Sequence, residues 1–453
     1  MTTTRLSPDG ATAQAVTSPA ENAMTTTPTT ATLDTCCAEY DRVATVSRRR
    51  LLGGMAAAGA AGAVTSVFGD TVRQTAFGAT TNGNVLVVIS LRGGIDGLGM
   101  VVPYGDPSYK AVRGGLALNS ASLVAKDPMF GLHPKMAPLQ WLWDSGEFAA
   151  VHAVGLEMPN RSHFEAMEVI EDADPSSSVR RGWVNRMVGL NSVSSPIEAV
   201  HIGDSLPPTM LEGDAPSISA RAFKDVELNG TTNGWAARRT GALRTTWAGD
   251  SGPMGNAMRQ ALGAIGTLKP LARYKPSVAY PGTHPASDLA DALKDSAALI
   301  KANVGAEVIS VDFGTWDMHN NYGDAGSGRM QKMVDAFARS VSAFMKDLGT
   351  HRQRVTVVTI SEFGRRVRPN GNSGFDHGWG NMMLLLGAGV KGGRYHGTWP
   401  GLDAVSVADG DLKVTNDYRQ VFAEIVAKRF PDKSVNQVFP GLVQRPIGVL
   451  SDY

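Results

Sequence analysis

The sequence predicts a layered α/β fold with a largely parallel central sheet. Three observations carry this reading: short apolar runs rich in β-branched residues, amphipathic stretches at helical spacing between them, and polar loops where the runs end. A strand buried on both faces reads as an unbroken apolar run. Helices that cover a parallel sheet lie between such runs.

The runs come in order. Residues 84–91 (NVLVVISL) form the first and 148–154 (FAAVHAV) the second. Residues 197–203 (IEAVHIG) are weaker, 307–313 (EVISVDF) and 354–360 (RVTVVTI) are strong, and 382–386 (MMLLL) is the last. Helical spacing runs over 286–302 through Leu289, Ala292, Leu293, Ala297 and Ile300, and over 330–348 through Met333, Phe337, Val341 and Phe344. It returns over 415–430 through Tyr418, Val421, Phe422, Ile425 and Val426, with Thr415 and Asn416 as candidate N-caps. Residues 205–285 hold Gly- and Pro-rich punctuation, a helix near Trp235 to Trp247 and no strong strand. That stretch reads as an insertion or cap within a single domain spanning 80–453.

Everything before residue 80 reads as an address. Ser47-Arg48-Arg49-Arg50-Leu51-Leu52 precedes GGMAAAGAAGAVTSVF, with no charge from Leu51 to Phe68. A charged segment before a weakly hydrophobic Ala/Gly run resembles a twin-arginine signal over 47–79, with cleavage after Ala76-Phe77-Gly78-Ala79. A membrane anchor or a buried helix is the plainer alternative. The signal implies the twin-arginine translocase as a partner and a periplasmic or secreted destination. Residues 1–46 are rich in Thr, Ala and Ser and are expected to be disordered. MTTT occurs at Met1 and again at Met24, so either methionine can be the start.

Composition narrows the chemistry. The only cysteines, Cys36 and Cys37, precede the signal, so a processed chain has neither disulfides nor thiolate metal sites. A net charge of +1 gives no broad basic face, which argues against a nucleic-acid partner. No apolar run after residue 80 has the length of a membrane span.

Ligands of parallel α/β sheets gather at the carboxyl ends of strands, so the loops after the runs matter most. They hold Asp96 after two glycines, Arg161-Ser162-His163, Asp317 with His319, Glu362 with Arg365, and Asp376-His377. Oxygen and nitrogen donors of these kinds suit Zn, Mn, Mg or Ca. Ser162 is the candidate nucleophile, His163 a base or ligand, and Arg161 or Arg365 a holder of an anionic group. Plainer roles stand beside these. Asp96 suits a turn or an N-cap, and Ser162 an N-cap with Glu165 completing a capping box. Glu362 suits an ion pair with Arg365 or Arg366, and Asp376-His377 a tight turn.

Taken together, NVLVVISLRGGIDGL, PNRSHFEAME, VDFGTWDMHN, TISEFGRRVRPNGNSGFDHGWGN and GGRYHGTWPGL resemble the family called domain of unknown function 1501, over nearly all of residues 84–430. That family is similar in fold to the alkaline phosphatase–sulfatase superfamily. The resemblance implies a three-layer α/β/α sandwich with metals at strand ends. By the same resemblance Asp96 is the early metal carboxylate, Ser162 the nucleophile, Asp317 and His319 the Asp/His pair, Glu362 the late carboxylate and His377 a late ligand. The chain departs from the superfamily at Ser361-Glu362-Phe363-Gly364, where Ser-Asp-His-Gly is usual, and in its shorter Asp–His spacing. Phe363 cannot bind a metal, so one metal site is either lost or rebuilt from Asp376 or His377.

The expected function is an exported metal-dependent hydrolase of a phosphate or sulfate ester. The alternative is a non-catalytic exported protein that binds or assembles with another exported protein of unknown function and keeps a degenerate metal site. A redox-pathway accessory is a third reading, suggested by the export route alone. No flavin, haem or nucleotide is expected.

Overall fold

The computed structural model describes residues 83–191, 195–228, 234–324 and 327–451. The extension, the signal with its cleavage site, and Cys36 and Cys37 lie outside the described residues.

The strands are β1 (Val85–Ser90), β2 (Val101–Val102), β3 (Gly131–Leu132), β4 (Phe148–Gly155), β5 (Ala199–Ile202), β6 (Ile218–Ala220), β7 (Val308–Asp312), β8 (Val355–Ile360), β9 (Asn381–Gly387), β10 (Arg394–His396) and β11 (Asn416–Asp417). The longer helices are α1 (His163–Asp172), α2 (Trp183–Val188), α3 (Ala236–Trp247), α4 (Pro253–Leu268), α5 (Ala286–Ala302), α6 (Arg329–Leu348) and α7 (Tyr418–Arg429). One sheet has the order β10-β4-β9-β8-β1-β7-β5-β6, with β11 also on β4. β2 and β3 pair separately. The main sheet is mixed: β9 runs antiparallel to both β4 and β8, while the other pairings are parallel.

Side-chain parity builds the layers. Successive residues of a strand point to opposite faces. Val85, Val87 and Ile89 of β1 join the apolar cluster that holds α5 and α6, whereas Leu86 and Val88 join the one that holds α1, α2 and α7. Met382 and Leu384 against Met383 and Leu385 repeat the split in β9. Helices therefore cover both faces, giving the three layers. α6 buries Met330, Met333, Val334, Phe337, Val341 and Phe344 at the spacing the sequence shows.

Some local expectations change. The N-cap of α7 is Asp417, whose carboxylate accepts from the Arg419 backbone N–H, and Asn416 pairs in β11 instead. The 205–285 stretch supplies an edge strand, β6, which is three residues long and leaves too short a pattern to read. Its helices form a small core around Leu228, Met258, Ala261 and Leu262, while Ala264 and Leu268 of α4 reach the main core. Among the described residues no helix is long and apolar enough to cross a membrane.

Two histidines away from the strand-end loops make folding pH-sensitive. His152 of β4 stacks on Phe130 with centroids 4.5 Å apart, and among the described residues its buried Nδ1 has no hydrogen-bond partner. His133 is likewise buried. Burial, aided by Lys135 at one ring and His396 at the other, pulls both pKa values down to about 4. The unfolded chain, with ordinary values near ~6.5, binds more protons than the folded chain across this window. Stability is therefore expected to fall as pH drops from about 6.5 to about 4, by about 3 kcal/mol per histidine once complete. Urea unfolding at stepped pH checks this, and a flat profile over that range contradicts it.

Candidate metal centre

Five segments meet at the carboxyl edge of the parallel strands. The loops after β1, β4, β7 and β8 bring Gly93, His163, Asp317 and Glu362. His377 arrives from the other direction. Because β9 is antiparallel, the residues just before it lie at the edge where its neighbours end. The Arg365 and His377 segments then pair with each other, with Gly364 N–H donating to Trp379 O at 2.9 Å and Gly378 N–H to Gly364 O at 2.9 Å. A Cβ on Gly378 would stand 2.4 Å from the Arg365 backbone, so this approach requires glycine. Gly93 has φ +109°, and a Cβ there would lie 2.6 Å from the Asp317 nitrogen.

Three imidazoles turn their Nε2 atoms toward one point. His163 Nε2 is 3.1 Å from His377 Nε2, and His319 Nε2 is 2.9 Å from His377 Nε2. Asp317 joins them: Oδ2 is 3.8 Å from His163 Nε2, and Oδ1 is 3.7 Å from His377 Nε2 and 3.1 Å from His319 Nε2. The outward nitrogens are bound too. His163 Nδ1 lies 2.7 Å from Glu362 Oε1, His319 Nδ1 3.0 Å from Asp376 Oδ1, and His377 Nδ1 2.8 Å from the Arg161 carbonyl. A carbonyl only accepts, so His377 carries its proton on Nδ1. The ionised Glu362 likewise places the His163 proton on Nδ1, whereas His319 has a carboxylate at each nitrogen, Asp376 at Nδ1 and Asp317 at Nε2.

Charge at the centre is fixed by its neighbours. Burial opposes ionisation of Asp317, yet the His319 and His377 imidazoles and the Arg365 guanidinium hold its carboxyl far below the usual carboxylate range. Burial also opposes the charge on Glu362, and the His163 contact outweighs it and lowers its pKa. Asn370 and His319 lower Asp376. The hydrogen bond to Asp317 raises His319. Glu362 further accepts from Gly93 N–H at 2.7 Å and from the Ser361 hydroxyl at 2.9 Å, so its second oxygen is also held.

These donors fit a metal ion. With a proton on Nδ1, His163 and His377 can each turn an Nε2 lone pair inward beside a carboxylate. The Asp317 Oδ2 atom is buried without a hydrogen-bond partner among the described residues. Ligand atoms about 2.0–2.1 Å from a tetrahedral zinc ion lie roughly 3.3 Å from one another. The His163–His377 separation of 3.1 Å is close to that value, and Asp317 offers Oδ1 at 3.7 Å from His377 and Oδ2 at 3.8 Å from His163. These three residues offer atoms all within 4.8 Å of one another, and His319 stands at their side. Glu362 and Asp376, expected as ligands, instead hold imidazoles from outside, which is how carboxylates orient metal-bound histidines.

The remaining expected residues are placed as follows. Asp96 is drawn into a buried pair with Arg113, and its Oδ2 also accepts from Tyr322 OH at 2.6 Å. Its oxygens are thus committed away from the imidazoles, in place of the metal role the resemblance implies. Arg365 is 2% exposed and spends its guanidinium on the Gly93, Gly94 and Phe375 carbonyls and on Asp317 Oδ1 at 2.6 Å, so it is a strut for Asp317 and cannot hold a substrate. Ser162 occupies the N-cap position of α1 without a side-chain cap bond, so no capping box forms with Glu165. Arg161 pairs with Asp411 at 2.5 Å and stays 38% exposed. Phe363 packs its ring centroid 4.8 Å from those of both the His163 and the His377 rings and forms a wall against the pair.

Arg113, Asp409 and Asp411 carry no local signal in the sequence. Arg113 lies 17 residues from Asp96 in an unremarkable helical turn, and the two aspartates sit in a turn that any Asp-Gly pair would suggest.

Comparison with known proteins agrees with the motifs in part. No curated protein matches the chain. Among solved structures the chain is similar to the zinc complex of the C-terminal periplasmic domain of EcEptC from Escherichia coli, at 10% identity and TM-score 0.29, over 71% of this chain and 76% of that one. It is also similar to the PsFucS1 sulfatase from Pseudoalteromonas sp., at 10% identity and TM-score 0.32, over 82% and 72%. A third is the alkaline phosphatase from the Antarctic bacterium TAB5, at 9% identity and TM-score 0.25, over 70% and 95%. Residues 290–432, which contain Asp317, His319, Glu362, Arg365, Asp376 and His377, match the family described as "Protein of unknown function (DUF1501)", the family that the motifs of this chain resemble.

Proposed function

We propose that the chain is a metal-dependent hydrolase of phosphate or sulfate esters, exported by the twin-arginine route. The observation that supports it is the convergence of His163, His377 and Asp317 at separations suited to one divalent cation. A cation held there supplies Lewis acidity toward an ester oxygen. Ser162 is the nucleophile in this reading. It precedes α1, whose N-terminus favours negative charge on an attacking oxygen. Its Oγ gives up its proton to solvent and bonds to phosphorus or sulfur as the ester oxygen departs and is protonated to the alcohol; water then cleaves the Oγ bond, releasing the phosphate or sulfate and restoring the serine hydroxyl. His319 is the proton donor to the departing oxygen. Its pKa is raised by Asp317, and at 26% exposure its side chain is the most accessible of the three rings.

One observation favours a second reading. The early carboxylate, Asp96, is sealed by Arg113 and Tyr322, so a two-metal site of the superfamily kind is not assembled from these residues. A single cation without turnover would make the protein a binding or assembly module. Aryl phosphate and aryl sulfate turnover by metal-loaded protein separates the two. The hydrolase reading expects Ser162→Ala to lower turnover by about 100-fold or more while leaving metal content unchanged. Bound metal with no turnover on either ester favours the module. Turnover that survives Ser162→Ala removes the nucleophile assignment.

A further inference from the structure

Beside the imidazoles lies an ionic clasp that the reaction above does not use. Arg161 and Arg366 stand on either side of the His377 segment. The Arg161 carbonyl accepts from His377 Nδ1 at 2.8 Å, and the Arg366 backbone N–H donates to Asp376 O at 3.0 Å. Their side chains are 38% and 37% exposed. The turn closed by Ala408 and Asp411 presents two carboxylates to them.

These carboxylates are not equivalent. Asp411 is fully buried, with Oδ2 at 2.5 Å from Arg161 Nη2 and Oδ1 at 3.9 Å from Arg366 Nε. Asp409 is 83% exposed, and its single Oδ2 atom sits 3.4 Å from Arg161 Nη2 and 3.6 Å from Arg366 Nη2. One solvated oxygen thus rests between the tips of two guanidiniums at distances too long for good hydrogen bonds. Asp411 is a fixed part of the clasp, whereas the Asp409 carboxylate is held only as firmly as an exposed pair, its backbone carbonyl accepting separately from Arg366 Nη1 at 2.9 Å.

We infer that Arg161 and Arg366 form an anion subsite in which Asp409 stands in for a singly charged group of the substrate. The charge count gives the class. Two guanidiniums less the buried Asp411 leave one positive charge, which a sulfate ester or a carboxylate matches and a phosphate monoester dianion exceeds. The substrate would then carry a monoanionic group beside the ester that is cleaved, as a multiply sulfated or uronate-bearing molecule does. That substrate assignment rests on the hydrolase reading, but the binding of an anion to the clasp does not.

Calorimetric titration of the full chain with methyl sulfate and with methyl phosphate, at about pH 8 where the latter is a dianion, tests this. Each titration is run with and without a chelator. Asp409→Asn is expected to bind methyl sulfate about two- to fivefold more tightly than the wild type, the range that an exposed ion pair is worth. Arg366→Gln is expected to weaken it by about tenfold or more, the scale of a charge-assisted hydrogen bond. Asp409→Asn removes an exposed carboxylate, so folding is not at stake. The subsite is overturned if Asp409→Asn binds no more tightly, or if Arg366→Gln binds like the wild type. It is also overturned if methyl phosphate binds as well as methyl sulfate. Binding that vanishes with chelation places the anion on the metal and overturns the clasp alone. Binding that persists in a protein without ester turnover upholds the clasp and overturns the hydrolase.

Discussion

Arg365→Met is expected to destabilise the fold by about 3–5 kcal/mol, the cost of stripping one partner from a buried charge pair. The guanidinium is 2% exposed and joins three segments: the Gly93-Gly94 turn, Phe375 and Asp317. Methionine fills much of the volume but offers no donor. Three carbonyls lose their partner, and Asp317 keeps a buried charge without its guanidinium. Arg366, one residue on, is 37% exposed in its ion pairs, and its loss is expected to cost no more than about 1 kcal/mol. Urea unfolding of the two variants in chelator makes the comparison. A loss under about 1 kcal/mol for Arg365→Met would show that the strut is dispensable.

His377→Ala is expected to weaken zinc affinity by more than the 10- to 100-fold that removing a carboxylate behind a metal-bound histidine costs. Glu362→Gln, which leaves His163 in place but takes away its ionised partner, sets that lower reference. The ordering follows from position. His377 Nε2 lies within 3.1 Å of both other Nε2 atoms and 3.7 Å from Asp317, so it is central to the donor set. Competition against a chromophoric chelator reads both variants. Equal affinities for His377→Ala and the wild type would remove His377 from the centre. Thermal midpoints measured in chelator keep a folding defect apart from a binding defect.

The sequence carried much of the layer structure and most of the site, for identifiable reasons. Runs such as 84–91 and 354–360 carry apolar residues on successive positions because both sheet faces are covered, and the helix over 286–302 has matching bounds. His163, Asp317, His319, Glu362, Asp376 and His377 were legible because they are polar residues at strand ends with no packing duty there. Their ranks were not. Whether a carboxylate faces the centre or braces a ring from behind depends on backbone paths across some 200 residues, as with Glu362 and His163. Asp96 was misplaced because its partner, Arg113, sits in a helical turn whose pattern is silent about the pair. Arg365 looked like a substrate arginine, since burial among carbonyls leaves no mark on the sequence. The reversed direction of β9 was equally hidden, because MMLLL is as apolar as any parallel strand, yet that reversal delivers His377.

The proposed chemistry depends on a single cation held by His163, Asp317 and His377. Anomalous diffraction from a zinc-loaded crystal at the zinc edge would locate it. One strong peak is expected about 2.0–2.1 Å from His163 Nε2, from His377 Nε2 and from a carboxylate oxygen of Asp317. A peak at other residues, or none at these three in crystals grown with zinc, would contradict it.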